Sequence, residues 1–217
     1  MSSTGPSPVA PPSPNQKPEW RIKFDNWMVN EGPRILFVIC WVAIQVGLFF
    51  NAFVFYANSP DYSNIRLLTG VGLSMARGAA AVLNFNCGII LFSVCRNIIT
   101  MIRQTPVNRV VPLDKNITFH KAIAWTIAFF VAVHVCAHYF NFLNIQKASP
   151  TARVAANLPA MIDANTIAMG TVAGVTGHFL VVIMFIMYTA ALETIRVRFF
   201  DILLRFSLSN VAAAQVL

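Results

Sequence analysis

Four long apolar runs dominate the pattern of hydrophobic and polar residues along the chain. Residues 35–57, 122–146 and 164–192 carry no charged side chain, and residues 67–95 carry a single one, Arg77. A helix needs about 20 apolar residues to cross the roughly 30 Å hydrocarbon core of a bilayer. Each run is long enough to do so. The pattern therefore predicts an all-α membrane protein built as a bundle of four transmembrane helices.

The two ends of the chain differ from these runs. Residues 1–20 contain six prolines and several serines. Such a composition cannot bury a hydrophobic core, so we predict a disordered Pro-rich tail over residues 1–25. After residue 193 charged and apolar residues are mixed. The last uncharged stretch, residues 206–217, is too short to span a membrane.

The overall composition agrees with a membrane protein. Hydrophobic residues make up 57% of the 217 residues and charged residues 11%, whereas soluble domains carry about 25% charged residues. This argues against a soluble globular protein and excludes a disordered one. The net charge is +8, but no basic run is interleaved with aromatic residues as a nucleic-acid groove would need. We therefore expect no nucleic-acid partner.

The distribution of positive charge predicts the orientation in the membrane. Twelve lysines and arginines lie in the two terminal flanks and in the connection between the second and third runs. Only Arg66, Lys147 and Arg153 lie in the other two connections. Because cytoplasmic loops carry an excess of Lys and Arg, we predict an integral protein of the plasma membrane or an endomembrane. Both of its termini would face the cytoplasm.

The four histidines all lie in or at the edge of the apolar runs, where ionisable residues usually serve a function. His120, His134 and His138 share the third run. On a helix, His134 follows His120 by about 21 Å along the axis and about 40° around it, and His138 lies on the same face as His120. Two stacked haems with histidine ligands would need this arrangement. Buried histidines bonded to neighbouring helices would produce it too, and the spacing leaves both interpretations open.

Eight short runs, in order along the chain, add a more specific signal. They are residues 26–32 (NWMVNEG), 75–79 (MARGA), 83–87 (LNFNC), 94–97 (VCRN), 113–121 (LDKNITFHK), 124–125 (AW), 134–138 (HVCAH) and 173–177 (AGVTG). Together they resemble the membrane half of the NADPH oxidase catalytic subunits, specifically their fungal members. The resemblance covers about residues 26–201. It implies a partial ferric reductase-like transmembrane domain, with four helices of the six in the intact family.

The resemblance also implies roles for single residues. His120 matches the ligand of the inner haem on the cytoplasmic side, and His134 matches the ligand of the outer haem. His138 and Arg77 match residues at the site where oxygen is reduced, and a cation there would stabilise a developing superoxide anion. The alternative for Arg77 is a structural arginine paired with haem propionates or helix carbonyls.

The cofactors implied by the resemblance are two b haems, together with FAD and NADPH on a cytoplasmic part. No G-x-G-x-x-G loop occurs in the sequence. Residues 202–217 diverge from the family, whose fifth span supplies a second histidine to each haem. We therefore expect a truncated product, splice form or gene-model fragment that is inactive alone. A substitute site formed by His178 and His134 is one alternative, and His178 bonded to a facing helix is the other.

The function implied is that of a membrane haem-binding oxidoreductase segment of a superoxide-generating NADPH oxidase. Such a segment passes electrons across the bilayer to oxygen. One alternative is a ferric reductase of the same haem-helix class. Another is a non-catalytic four-span partner or modulator of full-length oxidases. The expected partners are membrane lipid and molecular oxygen, with cytosolic regulators and a small membrane-bound partner protein.

Overall fold

The computed structural model describes residues 17–193, apart from residues 110 and 112, and beyond them residues 195, 197, 198 and 201. The helices in this part of the chain are α1 (Glu19–Asn58), α2 (Ser63–Thr69), α3 (Gly72–Phe92), α4 (Arg96–Arg103), α5 (Asn116–Lys147), α6 (Pro150–Ala155), α7 (Ala164–Gly170) and α8 (Val172–Ala191). Short 3-10 turns lie at Pro60–Tyr62, Pro106–Arg109 and Leu113–Lys115. The described residues contain no strand, so the all-α prediction is confirmed.

Four helices are long and apolar enough to cross a membrane, which confirms the predicted number of spans. They are α1, α3, α5 and α8, with 40, 21, 32 and 20 residues. At 1.5 Å per residue these are about 60, 32, 48 and 30 Å long, against about 30 Å of hydrocarbon. Large apolar side chains such as Phe50, Phe129 and Phe185 are exposed on the helix surfaces. In a membrane these surfaces would face lipid.

The first helix begins earlier than the sequence predicts. α1 starts at Glu19, so residues 19–25 are helical although we predict them as tail. Pro18 is the last proline before Pro33, and from residue 19 onward the chain can donate backbone N–H groups to a helix. Glu19 and Lys23 add an ion pair of 3.7 Å on successive turns. The rest of the predicted tail up to residue 16, and the divergent segment 202–217, lie outside the described residues.

The second apolar run is broken at Gly70 and Val71, and the fourth at Thr171. α2 ends before Gly70, whose φ of 60° is a conformation that glycine adopts without strain. In the fourth run, extended Thr171 separates α7 from α8. Its hydroxyl accepts the backbone N–H of Gly174 at 3.0 Å and so caps α8. The spanning helices α3 and α8 are therefore shorter than the predicted runs.

The chain divides into two compact units, residues 1–59 with 73–137 and residues 60–72 with 138–217. In the first unit α3 packs through small residues. Ala76 and Ala79 are fully buried. A β-carbon on Gly78 would lie 3.0 Å from the ring of Phe49. Small residues at such positions let membrane helices approach closely, and this contact fixes α3 beside α1.

A buried pair of amides also joins α1 to α3 in the first unit. The side-chain nitrogen of Asn86 donates to the side-chain oxygen of Gln45 at 3.0 Å. Gln45 in turn donates to the carbonyl of Trp41 at 3.3 Å. Asn86 is fully buried. Interhelical hydrogen bonds of this kind stabilise a specific pairing of spans.

A buried arginine organises the second unit. Arg153 is 6% exposed, and its guanidinium donates to the carbonyls of Gln146 and Ile162 at 3.3 and 3.4 Å. Gln146 also accepts the backbone N–H of Ala164 at 2.9 Å. Hydrogen bonds from Thr166 lower the pKa of Asp163, the N-cap residue of α7. The connection between α5 and α7 is thus held by polar contacts.

Candidate haem and oxygen site

His120 lies in the second turn of α5 and is the predicted inner ligand. Its Nδ1 is 2.7 Å from the hydroxyl oxygen of Ser93. That hydroxyl donates its proton to the carbonyl of Ile90, also at 2.7 Å. Because a hydroxyl has one proton, Ser93 accepts from His120, and Nδ1 is the protonated ring nitrogen. In neutral His120 the lone pair therefore lies on Nε2.

His134, the predicted outer ligand, has the same protonation pattern. Its Nδ1 is 2.9 Å from the backbone carbonyl oxygen of Ala76 on α3. A carbonyl oxygen can only accept, so Nδ1 donates and Nε2 carries the lone pair. Ala76 is fully buried between the helices. The close packing of α3 thus provides the acceptor that orients His134.

The two histidines share one uninterrupted helix, since α5 runs from Asn116 to Lys147. The 14 residues between them place His134 about 21 Å further along the axis and about 40° around it. Metal-bound histidines usually donate their second ring N–H to a carbonyl, carboxylate or water. Both residues donate from Nδ1, so in each the lone pair that can bind a metal is on Nε2. The donor set therefore fits haem iron at each position.

His178 on α8 has a hydrogen bond at each of its two ring nitrogens. Its Nδ1 donates to the carbonyl of Gly174 at 2.7 Å, so its Nε2 carries the lone pair. That lone pair accepts the hydroxyl proton of Tyr139 at 2.5 Å. Both nitrogens are engaged within the second unit, and none is left to ligate iron. The arrangement favours His178 as a hydrogen-bonded link to α5 over a substitute haem ligand.

Arg77, one of the two predicted oxygen-site residues, lies on α3 in the first unit. Its guanidinium carbon is 5.0 Å from the centre of the Tyr56 ring. Among the described residues it has neither a carboxylate nor a carbonyl partner. An aromatic face attracts a cation but does not neutralise it. The positive charge of Arg77 is thus available to stabilise a nearby anion.

His138, the other predicted oxygen-site residue, follows His134 by four positions on α5. It belongs to the second unit, where its ring centre is 6.0 Å from that of Phe142. Arg77 belongs to the first unit. The joint action of Arg77 and His138 at one oxygen site stays a prediction.

Comparison with known families decides the class of the protein. Residues 77–207 match the family described as "Ferric reductase like transmembrane component". The match takes in more than half of the chain. The chain belongs to the ferric reductase-like transmembrane family. The matched segment of this ferric reductase-like chain contains Arg77, His120, His134 and His138.

Curated relatives of the ferric reductase-like chain are NADPH oxidases. It is 38% identical over 181 residues to a superoxide-generating NADPH oxidase heavy chain of Dictyostelium discoideum, an alignment that covers 82% of this chain and 34% of the relative. It is 33% identical over 223 residues to mouse (Mus musculus) "NADPH oxidase 1", covering 92% and 38%. It is 35% identical over 187 residues to human (Homo sapiens) "NADPH oxidase 4", an alignment that covers 83% of this chain and 32% of that relative.

These comparisons confirm the resemblance to the transmembrane portion of NADPH oxidases. The chain spans about a third of the length of these relatives. A fungal type within the family stays a prediction. An integral membrane protein, the coarser part of the predicted localisation, is confirmed by the family and by the four apolar helices.

Sequence reasoning missed the acceptors that orient the two candidate ligands. Ser93 is 27 residues from His120, and Ala76 is 58 residues from His134. One acceptor is a backbone atom, which has no sequence signal of its own. Ser93 does interrupt an apolar run just before Arg96, and a polar residue in that place is a weak signal. Tyr139 and Tyr56, the partners of His178 and Arg77, were missed because they too are distant from these residues in the sequence.

Proposed function

We propose that this chain carries electrons across a membrane to molecular oxygen, as the membrane segment of a superoxide-generating NADPH oxidase. One observation supports this most. His120 and His134 stand on one continuous helix, and each donates from Nδ1, so each directs Nε2 toward a ligand role. Its relatives, a superoxide-generating NADPH oxidase heavy chain and an NADPH oxidase, support the reaction.

In this proposal His120 holds a b haem on the cytoplasmic side, and His134 holds one on the outer side. Haem, when bound, supplies a one-electron carrier inside a medium that excludes free charge. The two histidines would fix its position along α5. The 217 residues contain no dinucleotide-binding loop. FAD and NADPH, the electron source implied by the resemblance, would therefore act from outside this segment.

The resemblance implies roles in oxygen reduction for Arg77 and for His138. The guanidinium of Arg77 would stabilise the negative charge that develops as oxygen gains an electron. Tyr56 holds the guanidinium by its ring face, and no carboxylate in the described part of the chain neutralises this charge. His138 would act beside the outer haem and would not ligate its iron. A ferric reductase of the same class would use the same helices with iron as the final acceptor.

The reaction is tested by a chimera in which residues 17–201 replace the corresponding segment of the Dictyostelium discoideum relative. We expect NADPH to drive dye reduction that superoxide dismutase suppresses, in membranes from cells without other oxidases. The unmodified relative serves as the positive control for folding and assay. Iron(II) formation from a ferric chelate is measured in parallel.

The possible outcomes separate the proposals. Superoxide above the level of empty membranes supports the oxidase. Ferric reduction without superoxide contradicts it and favours the ferric reductase. A chimera that expresses and folds as well as the relative, yet reduces neither acceptor, favours a non-catalytic four-span partner.

We also propose that both termini face the cytoplasm, on the basis of the twelve-to-three distribution of lysines and arginines. The test places a single cysteine at position 10 or 215 in a chain whose four native cysteines have been replaced. Each should react with a membrane-impermeant maleimide only after the cells are permeabilised. A cysteine between α6 and α7, at position 160, is the matched control and should react from outside. Labelling of position 10 or 215 in sealed cells would contradict the orientation.

The partners follow from the same proposal. Membrane lipid covers the exposed apolar faces of the spans, and oxygen is the acceptor. Cytosolic regulators and a small membrane-bound partner protein, implied by the resemblance, stay predictions.

A further inference from the structure

Ser93 directly follows the last residue of α3 and is 6% exposed. α3 ends at Phe92, and there the backbone N–H of Val94 bonds to the carbonyl of Leu91 at 3.4 Å. It therefore does not bond to the carbonyl of Ile90, its partner in a continuing helix. The Ser93 hydroxyl donates to this carbonyl of Ile90 at 2.7 Å. The end of the helix thus determines where the only proton of this hydroxyl points.

With its proton used, the Ser93 hydroxyl can only accept a further hydrogen bond. It accepts one from Nδ1 of His120, at 2.7 Å. We propose that Ser93 is the positioning residue of His120, fixing its tautomer and ring orientation so that Nε2 becomes the iron-binding nitrogen. The inference rests on the haem role proposed for His120. A hydroxyl that already donates is polarised into a better acceptor, so the contact selects one tautomer and not the other.

Ser93 is also the acceptor that can be removed by substitution. The corresponding acceptor for His134 is the backbone carbonyl of Ala76, which every residue at that position would keep. We therefore expect the His120 and His134 sites to respond differently to substitution. A change at Ser93 should affect the site at His120 and leave the site at His134 unchanged.

The test is a titration of the purified 217-residue chain in lipid nanodiscs with haemin, followed by the Soret band. In a His134→Leu background only the His120 site remains. There Ser93→Ala should lower haemin affinity about 10- to 100-fold, the usual effect of removing the hydrogen-bond partner of a ligating histidine. In a His120→Leu background the same substitution should leave the affinity of the His134 site unchanged.

Two controls separate positioning from a general loss of structure. Ser93→Thr keeps the hydroxyl and should restore most of the affinity. Ser74→Ala removes another serine, on α3, which is 1% exposed and is not hydrogen-bonded to a histidine in the described part of the chain. It should have no effect at either site. Equal losses for Ser74→Ala and Ser93→Ala in the His134→Leu background would overturn the inference.

A second measurement needs no haem. The ¹⁵N NMR signals of histidine-labelled chain, assigned by the loss of signals in His120→Leu, report which ring nitrogen carries the proton. We expect Nδ1–H for His120 in the unchanged chain and a mixture of tautomers in Ser93→Ala. A proton on Nε2, or no change in Ser93→Ala, would overturn the inference.

The two failures are distinguishable. If the unchanged chain takes up haemin but Ser93→Ala binds it equally well in the His134→Leu background, the role of Ser93 is wrong and the proposed haem site stands. If the unchanged chain takes up no haemin, the proposed haem site is wrong, and the NMR result alone decides whether Ser93 sets the tautomer of His120.

Discussion

Replacing His120 or His134 by leucine should reduce NADPH-dependent superoxide production by the chimera to the level of empty membranes. Each substitution removes the imidazole that would hold one of two haems on α5, and leucine offers no donor atom. The two positions lie about 21 Å apart along the helix, so one haem cannot substitute for the other. The measurement is dye reduction sensitive to superoxide dismutase, together with the reduced haem spectrum of the same membranes.

The matched control for this prediction is His178→Leu. His178 is also a histidine inside a span, but both of its nitrogens are occupied by Gly174 and Tyr139. Its loss should weaken the contact between α5 and α8 and leave the haem spectrum intact. Full activity of His120→Leu, or haem loss in His178→Leu alone, would contradict the assignment of ligands.

Removing the side chains at the proposed oxygen site should slow oxygen reduction while the haem spectrum is kept. We expect Arg77→Met to lower the superoxide rate about 100-fold, the scale seen when one preorganised charge-stabilising group is removed. Arg77→Lys should lose less, because it keeps a cation over the ring of Tyr56. His138→Leu should likewise keep both haems and reduce the rate. Rates are measured as superoxide formed per spectroscopically determined haem.

Two results would contradict this second prediction. Haem loss in His138→Leu, with retention in His134→Leu, would mean that the ligand and the oxygen-site histidine are interchanged. A normal rate in Arg77→Met would support the alternative that Arg77 has a structural role only.

The number of spans could be predicted from the sequence because a bilayer imposes a minimum length on any uncharged helix. The breaks in the helices at Gly70 and Thr171 could not be predicted from the sequence. At each one the apolar composition continues unchanged, and only the local backbone reveals the end of a helix. The start of α1 was placed too late because the proline-rich composition was extended past Pro18, where the chain regains its N–H donors.

The candidate ligands were predictable because a helix of known pitch turns sequence spacing into distance. Their orientation was not, since it depends on contacts between different helices. The hydroxyl of Ser93 and the carbonyl of Ala76 meet the two histidines only after α3 and α5 have packed together. The preference between the two interpretations of His178 likewise depends on Tyr139, a neighbour in space.

The central claim is that His120 and His134 each bind haem iron through Nε2. Its most direct test is the haemin stoichiometry of the purified chain in nanodiscs, read from the Soret titration. The account predicts two equivalents of high-spin haem for the unchanged chain and for His178→Leu. It predicts one equivalent for His120→Leu or His134→Leu and none for the double variant. Two equivalents retained by the double variant would contradict the account.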